Sequence, residues 1–243
     1  MTWSIVAHDP ATGAFAVAVT TCNFAVGASC PHVRAGVGAV STQSFTNRYL
    51  GPAVLDGMAR GLPPGAAIEG ALAGDEGRHL RQIHAVDRFG RSAAFTGANC
   101  VEWAGDHAVA GFSVAGNMLA GPAVVNDTVA AFTINASLPL PERLALALDA
   151  GEAAGGDRRG RQSAAMRLVT TEDFPDLDIR VDDHPEPLAE LTRLLAIWRR
   201  DRAPFLDRQP RKANPTGYVD MDATEAAWKA AGLDLRFRRQ PVP

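Results

Sequence analysis

Thr2 is the residue whose type and position could do the most chemistry. Threonine is small enough for methionine aminopeptidase to remove Met1, which would leave a free α-amino group beside a hydroxyl. A hydroxyl is a weak nucleophile at its own pKa and needs an adjacent base. An α-amine has a pKa of about 7.7–8.0, so near pH 7 it is partly neutral and can accept that proton. Thr2 could therefore be nucleophile and base at once, although most threonines after Met1 have no such role.

Three further residues could complete a site around Thr2. Ser4 shares a strand face with Thr2 and could line the site or attack in its place, although a half-buried strand hydroxyl is the simpler interpretation. Asn117 lies in the segment 116–122, between a predicted strand and a predicted helix. Amide and backbone N–H groups at such a junction can stabilise an oxyanion, or the amide can cap backbone groups. Cys22 ends a strand, where a structural thiol is simpler than a second nucleophile.

A glycine-rich segment, 151–163, carries the densest charge in the chain. Arg158, Arg159 and Arg161 lie between glycines, a pattern suited to gripping an anion or a carboxylate, and Asp157 would pair with one of them. The alternative is a solvated turn whose charges pair with one another. The segment lacks GxGxxG spacing and leads into a strand, which argues against a dinucleotide site. We expect the loop to bind substrate or support the site, with Arg161 as its best-anchored arginine.

Composition excludes several classes of function. The 243 residues are 47% hydrophobic, with a net charge of -3 and a pI near 6.1, which argues against a protein that binds nucleic acid through a basic surface. The only lysines are Lys212 and Lys229, so no lysine can act within residues 1–211. Three cysteines without a CxxC pair predict neither a disulfide framework nor a zinc site. We expect no metal and no cofactor.

The same sequence predicts a cytoplasmic protein. The small cysteine content fits a reducing compartment. Residues 1–20 alternate rather than forming a basic head and an apolar run, so we predict no signal peptide. No apolar stretch approaches the roughly 20 residues that a membrane span needs. We therefore expect no membrane partner.

The elements that must position these residues form an α+β pattern. Hydrophobic alternation and turn residues predict strands at Thr2–His8, Ala14–Thr21, Gly36–Gln43, Arg81–Asp87, Ser92–Thr96, Ala108–Val114, Ala164–Val169 and Leu177–Val181. Helical spacing predicts helices at Leu50–Arg60, Ala66–Ala73, Ala123–Phe132, Pro141–Ala150, Pro185–Arg200 and Ala223–Ala231. Strands first and last, with helix pairs between them, favour sheets packed face to face with helices outside.

The composition changes after Arg200, so we divide the chain into a domain of residues 1–200 and a tail of residues 201–243. The tail is too polar to form a core of its own. It nevertheless holds Trp228, Leu233, Leu235 and Phe237. We expect it to pack on the domain or on a partner subunit, and the protein to form a homodimer or a larger homo-oligomer.

Several segments resemble the bacterial family known as domain of unknown function 1028. The resemblance lies in order along residues 2–200 and is carried by TWSIVAHDPATGAFAVAV (Thr2–Val19), VGASCPHVRAGVGAVSTQ (Val26–Gln43), RQIHAVDRFGRSAAFTGANC (Arg81–Cys100), GNMLAG (Gly116–Gly121), AGEAAGGDRRGRQSAA (Ala150–Ala165) and LDIRVDDHPEPLAEL (Leu177–Leu191). The stretch GGDRRGRQS is the most specific of these.

That family in turn resembles the N-terminal-nucleophile hydrolases, which implies a four-layer α-β-β-α sandwich of two antiparallel sheets with Thr2 as nucleophile and base. Proteasome-like members use a lysine from a nearby strand, which this chain lacks. Arg34 or Arg48 could supply positive charge but not a base. The resemblance therefore implies the acylase branch, in which an asparagine, here Asn117, and backbone amides stabilise charge.

These expectations together describe a hydrolase of a C–N amide-type bond in a small, carboxylate-bearing substrate. Thr2 and Asn117 would be catalytic. The residues expected to bind substrate are Ser4, Ser41, Gln43, Arg48, Asp157, Arg158 and Arg161. Two alternatives remain open: a catalytically silent binding or assembly protein on the same fold, and a hydrolase that uses Ser4 or Cys22.

Overall fold

The computed structural model describes residues 2–230 and Gly232. The chain divides into two compact units between Leu194 and Leu195. In the second unit, the Phe205 and Trp228 rings meet edge-on with centroids 4.4 Å apart. Leu233, Leu235 and Phe237 lie outside the described residues, so the packing of the tail stays a prediction.

The first unit is built on two antiparallel sheets. The larger sheet contains β1 (Thr2–Asp9), β2 (Ala14–Thr21), β7 (Gly105–Val109), β8 (Phe112–Asn117), β9 (Ser163–Val169) and β10 (Leu177–Val181). Its order is β10-β9-β2-β1-β8-β7, which places β1 near the centre. The smaller sheet contains β3 (Pro31–Arg34), β4 (Gly38–Ser44), β5 (Arg81–Asp87) and β6 (Ser92–Thr96), in that order.

Strand β1 is buried on both faces because the sheets pack against each other. On the inner face, Val6 packs with Val17 of its own sheet and with Ala39 and Val86 of the other. Side chains alternate along a strand, so Thr2 and Ser4 share this inner face. On the outer face, the Trp3 indole lies against Gly151, where a Cβ would come within 2.8 Å of its nitrogen.

Paired helices cover the outside of each sheet. Helices α1 (Leu50–Ala59) and α2 (Pro64–Leu72) pack their apolar sides on the smaller sheet. Helices α3 (Ala123–Ile134) and α4 (Leu140–Ala153) cover the larger sheet. Two more helices follow, α5 (Pro187–Asp201) and α6 (Met221–Ala230). The expectation of an α+β, four-layer α-β-β-α sandwich is confirmed.

Two details of the strand assignment were wrong. The sequence prediction missed β3, because Pro31 lowers strand propensity, but an edge strand tolerates a proline at its start. It also merged two strands into one at 108–114, whereas β7 and β8 form a hairpin with Ala110 and Gly111 between them. Gly111 adopts φ 88°, a conformation that favours glycine and reverses the chain.

Within the described part of the chain, no helix has both the length and the apolar character needed to cross a bilayer.

Candidate functional site

Thr2 lies at the first position of β1, between the two sheets. Its side chain is buried, with 7% of the residue exposed, and its Oγ1 donates to Thr21 Oγ1 at 3.3 Å. Two amide side chains reach its backbone: the carbonyl oxygen accepts from Gln43 Nε2 at 3.3 Å and from Asn117 Nδ2 at 3.4 Å. One amide comes from each sheet, so the backbone of Thr2 is held from both sides.

Gln82 joins these amides into one chain of hydrogen bonds. Its Oε1 accepts from Gln43 Nε2 at 2.9 Å and from Asn117 Nδ2 at 3.0 Å. Its own Nε2 donates to the carbonyl of Gly116 at 2.8 Å and to Thr96 Oγ1 at 2.9 Å. Because the Nε2 groups face carbonyl oxygens, the orientation of each amide follows from its partners. Nearly every donor in the network has an acceptor, and its longest contact is the one from Asn117 Nδ2 to the Thr2 carbonyl.

Ser4 lies one step deeper than Thr2 on the same face. Its Oγ is 2.6 Å from Gln43 Oε1, 2.7 Å from His84 Nε2 and 3.0 Å from Ser41 Oγ, and Ser4 is fully buried. Gln43 Oε1 can only accept, so Ser4 donates to it, and His84 Nε2 then donates to Ser4. Burial lowers the pKa of His84 to about 3, and the backbone of Ser113 opposes this only in part. His84 is therefore neutral near pH 7.

The neutral His84 makes a testable contribution to the pH dependence of stability. In the unfolded chain His84 takes up a proton below its ordinary pKa of 6.5, whereas in the folded protein it stays neutral down to about pH 3. The unfolded state then binds more protons, so stability is complete above pH 6.5 and is lost as the pH falls. Between pH 6 and pH 4.5, we expect the free energy of unfolding to fall more steeply with falling pH in wild type than in His84→Gln. The difference between the two slopes is about 1.4 kcal/mol per pH unit.

Urea titrations of both proteins across this range would measure the difference. His8 and His32 also have pKa values lowered by burial, but they are common to both proteins and cancel in the comparison. Equal slopes for the two proteins would mean that His84 is protonated in the folded state.

The arginine loop is fastened to the strand that touches Thr2. The carboxylate of Asp157 accepts from the backbone N–H of Cys22 at 2.8 Å and pairs with Arg159 at 3.2 Å. The backbone N–H of Gln162 donates to the carbonyl of Thr21 at 3.0 Å. Both anchors lie at the end of β2, and Thr21 there contacts Thr2. The expected pairing of Asp157 with an arginine is present, and the loop lies beside the Thr2 end of the sandwich.

We expected Arg161 to bind a ligand, but in the structure its charge is paired within the protein. Arg161 forms ion pairs with Glu152 and Glu186, so two carboxylates already compensate its charge. Arg158 is exposed and makes no ion pair within the described residues. Arg158 is therefore the arginine of this loop that has capacity for an anion.

Only some of the residues expected at the site lie together around Thr2. The structure brings together Thr2, Ser4, Ser41, Gln43 and Asn117. Arg48 is exposed in the segment between β4 and α1, and its charge acts on Cys30 and His32 instead. Within the described residues it makes no hydrogen bond or ion pair to this cluster.

Gln82 and His84 were missed by the sequence analysis. They occupy alternate positions of β5 and pair across the sheet with Gln43 and Ser41 of β4. Polar residues at every second position of two otherwise apolar strands are an unusual pattern for a core face. That pattern was the available signal for a buried polar layer. Across residues 2–230 and Gly232, no group of three or more potential ligand side chains could hold a metal ion.

A family model described as a family of unknown function (DUF1028) matches residues 2–191. A crystal structure of a Silicibacter pomeroyi protein with the same family model is 31% identical to this chain, with a TM-score of 0.83, and the match covers 90% of this chain and 96% of that one. Anbu (ancestral beta-subunit) from Yersinia bercovieri is 9% identical, with a TM-score of 0.38, over 81% of this chain and 96% of that one. No curated protein matches.

Proposed function

The chain belongs to the DUF1028 family, whose function is unknown, and we propose that it is an amidohydrolase with Thr2 as an N-terminal nucleophile. The substrate is a small molecule that bears a carboxylate, and a C–N amide-type bond is cleaved. The observation that carries the proposal is the setting of Thr2. Its hydroxyl lies at the start of a central strand, and amides from both sheets hold its backbone carbonyl.

The base in this mechanism is the α-amine of Thr2 itself. No lysine occurs within residues 1–211. His84 is unsuited to the role, because its Nε2 is bonded to Ser4 and its pKa lies near 3. An α-amine has an ordinary pKa of about 7.7–8.0, which is matched to proton transfer near neutral pH. In the first step the amine takes the hydroxyl proton as Oγ1 bonds to the carbonyl carbon, and the proton then passes to the leaving amine as the C–N bond breaks. In the second step water attacks the resulting ester of Thr2, which releases the carboxylic acid and regenerates the hydroxyl.

Asn117 is the side chain best placed to stabilise the oxyanion. Its Nδ2 is 3.0 Å from Gln82 Oε1 but 3.4 Å from the carbonyl of Thr2, so one of its two N–H groups is weakly engaged. That N–H can turn to a developing negative charge, where a preorganised donor has its largest effect. Arg158 at the neighbouring loop supplies the cation for the substrate's carboxylate.

Assembly and location complete the proposal. Ile134 of α3 is 83% exposed and Leu146 of α4 is 42% exposed, and a homodimer or a larger homo-oligomer would cover these apolar side chains. The proposed location is the cytoplasm, because the small cysteine content fits a reducing compartment. No cofactor takes part.

The first test is whether the mature protein begins at Thr2. We expect the intact mass of the protein purified from cells to lack one methionine residue, because threonine after Met1 permits removal. Intact-mass spectrometry and N-terminal sequencing measure this directly. Complete retention of Met1 would block the α-amine of Thr2 and would favour the alternative, a catalytically silent binding or assembly protein on the same fold.

A further inference from the structure

A cavity lies at the end of the sandwich away from Thr2. It has a volume of about 610 Å³, and it is lined by the last part of β1, the 88–90 turn, the 109–112 hairpin turn and the facing ends of α3 and α4. This volume suits a small ligand. His8 is six residues further along β1 than Thr2, roughly 20 Å at the usual rise of a strand. A ligand here would not reach the Thr2 hydroxyl.

Two arginines without ion pairs border this cavity. The guanidinium of Arg143 lies 3.6 Å from the centre of the Phe132 ring, and its Nε donates to the Phe132 carbonyl. Arg88 stands over the Phe89 ring at 4.9 Å. Neither arginine forms an ion pair with any residue that the structure describes. Both present a flat guanidinium against an aromatic ring, with their terminal N–H groups available.

The nearby carboxylates offset these arginines only in part. Asp9 attracts Arg143 electrostatically but forms no ion pair with it within the described residues, and it accepts hydrogen bonds from the Ala11 backbone and from Thr12 Oγ1. Asp87 pairs with Arg91 at 2.7 Å. Against the single charge of Asp9, the two guanidinium groups leave net positive charge at the cavity for a ligand. A buried or half-buried cation without a partner is costly, and an anion that pairs with it removes that cost.

The rest of the lining is apolar and aromatic. Phe89, Phe112 and Phe132 line the cavity, and His8 stacks on the Phe15 ring with centroids 4.6 Å apart. Aromatic rings favour a planar apolar body, whereas a bare inorganic anion would leave them in contact with water. The ligand chemistry that fits both features is a carboxylate on a planar apolar group.

We propose that this cavity is a binding site for a small aryl carboxylate, held by Arg88 and Arg143 and separate from the site at Thr2. Benzoate is the probe, benzamide is its neutral counterpart of equal shape, and inorganic phosphate is the bare anion. We expect calorimetry to show benzoate binding to the wild-type chain and binding roughly tenfold weaker or more in Arg88→Gln and in Arg143→Gln, since each loses a charged hydrogen bond.

The controls separate this site from the other end of the molecule. Arg158→Gln and Thr2→Val should bind benzoate with the same affinity as wild type. This expectation does not depend on whether the proposed hydrolase activity is found. Thermal unfolding checks that Arg143→Gln is folded, and the exposed Arg88 provides a variant that leaves the core unchanged. Equal affinity for benzamide, phosphate binding as strong as benzoate binding, no benzoate binding by wild type, or loss of binding in Arg158→Gln would each overturn the proposal.

Discussion

Replacing Thr2 by valine is expected to slow covalent labelling of the protein by a β-lactone electrophile by a factor of about 1,000 or more. Valine has the shape of threonine and suits a strand equally well, and it also permits removal of Met1. The change therefore removes one hydroxyl, whose Oγ1 lies at the start of β1 beside Thr21. Intact-mass spectrometry over time measures the labelling rate, and peptide mapping locates the adduct.

Two matched variants give this experiment its controls. Thr2→Ser keeps the hydroxyl and should keep most of the labelling. Ser4→Ala removes a fully buried hydroxyl that already bonds to Gln43 and His84, and should leave the adduct at Thr2. An adduct mapped to Ser4 or to Cys22 in the wild-type protein would assign the nucleophile to that residue and contradict the mechanism proposed here.

Replacing Gln82 by methionine is expected to lower the free energy of unfolding by about 2–4 kcal/mol, because Gln43 and Asn117 lose a shared acceptor and the carbonyls of Gly105 and Gly116 lose a donor. Gln43 Nε2 and Asn117 Nδ2 both donate to Gln82 Oε1. Methionine fills a similar volume but offers no comparable acceptor, so the loss comes from polar groups rather than from a cavity. This is a large part of the roughly 5–15 kcal/mol that stabilises a typical domain. Urea unfolding measures the change.

Gln162→Met is the matched control for Gln82. Gln162 is partly exposed, and its amide donates to Asp183 at 3.1 Å, so the same substitution there should cost less than about 1 kcal/mol. The Gln82 variant should also label more slowly at Thr2, because Gln43 and Asn117 would lose their orientation. Equal stability losses at Gln82 and Gln162 would mean that the amide chain does not hold the site together.

The architecture was largely predictable from local patterns. The all-buried run of β2 and the polar turns around it mark a central strand, and the paired apolar helices α1–α2 and α3–α4 mark two covering layers. The errors concern β3 and β7, which are edge strands of four and five residues. Such strands bury little apolar surface, and so their residues carry a weak pattern.

The sequence by itself determined which residues share a face, but not what faces them. Period-two alternation puts Thr2 with Ser4 and Ser41 with Gln43, because successive side chains of a strand point to opposite sides. The sequence also excluded a lysine base, a conclusion that needs no coordinates.

Only the tertiary structure decided that these faces meet. The hydrogen bonds that Ser4 makes with Gln43 and with His84 join residues 39 and 80 positions apart, across two different sheets. No local pattern encodes such a contact, because it depends on how the two sheets stack and slide on each other. The same holds for Arg161, whose partners Glu152 and Glu186 come from a helix and from a loop after β10. The sequence favoured Arg161 as the best-anchored arginine, whereas the packing of the described residues leaves Arg158 as the arginine of the loop that forms no ion pair with any of them.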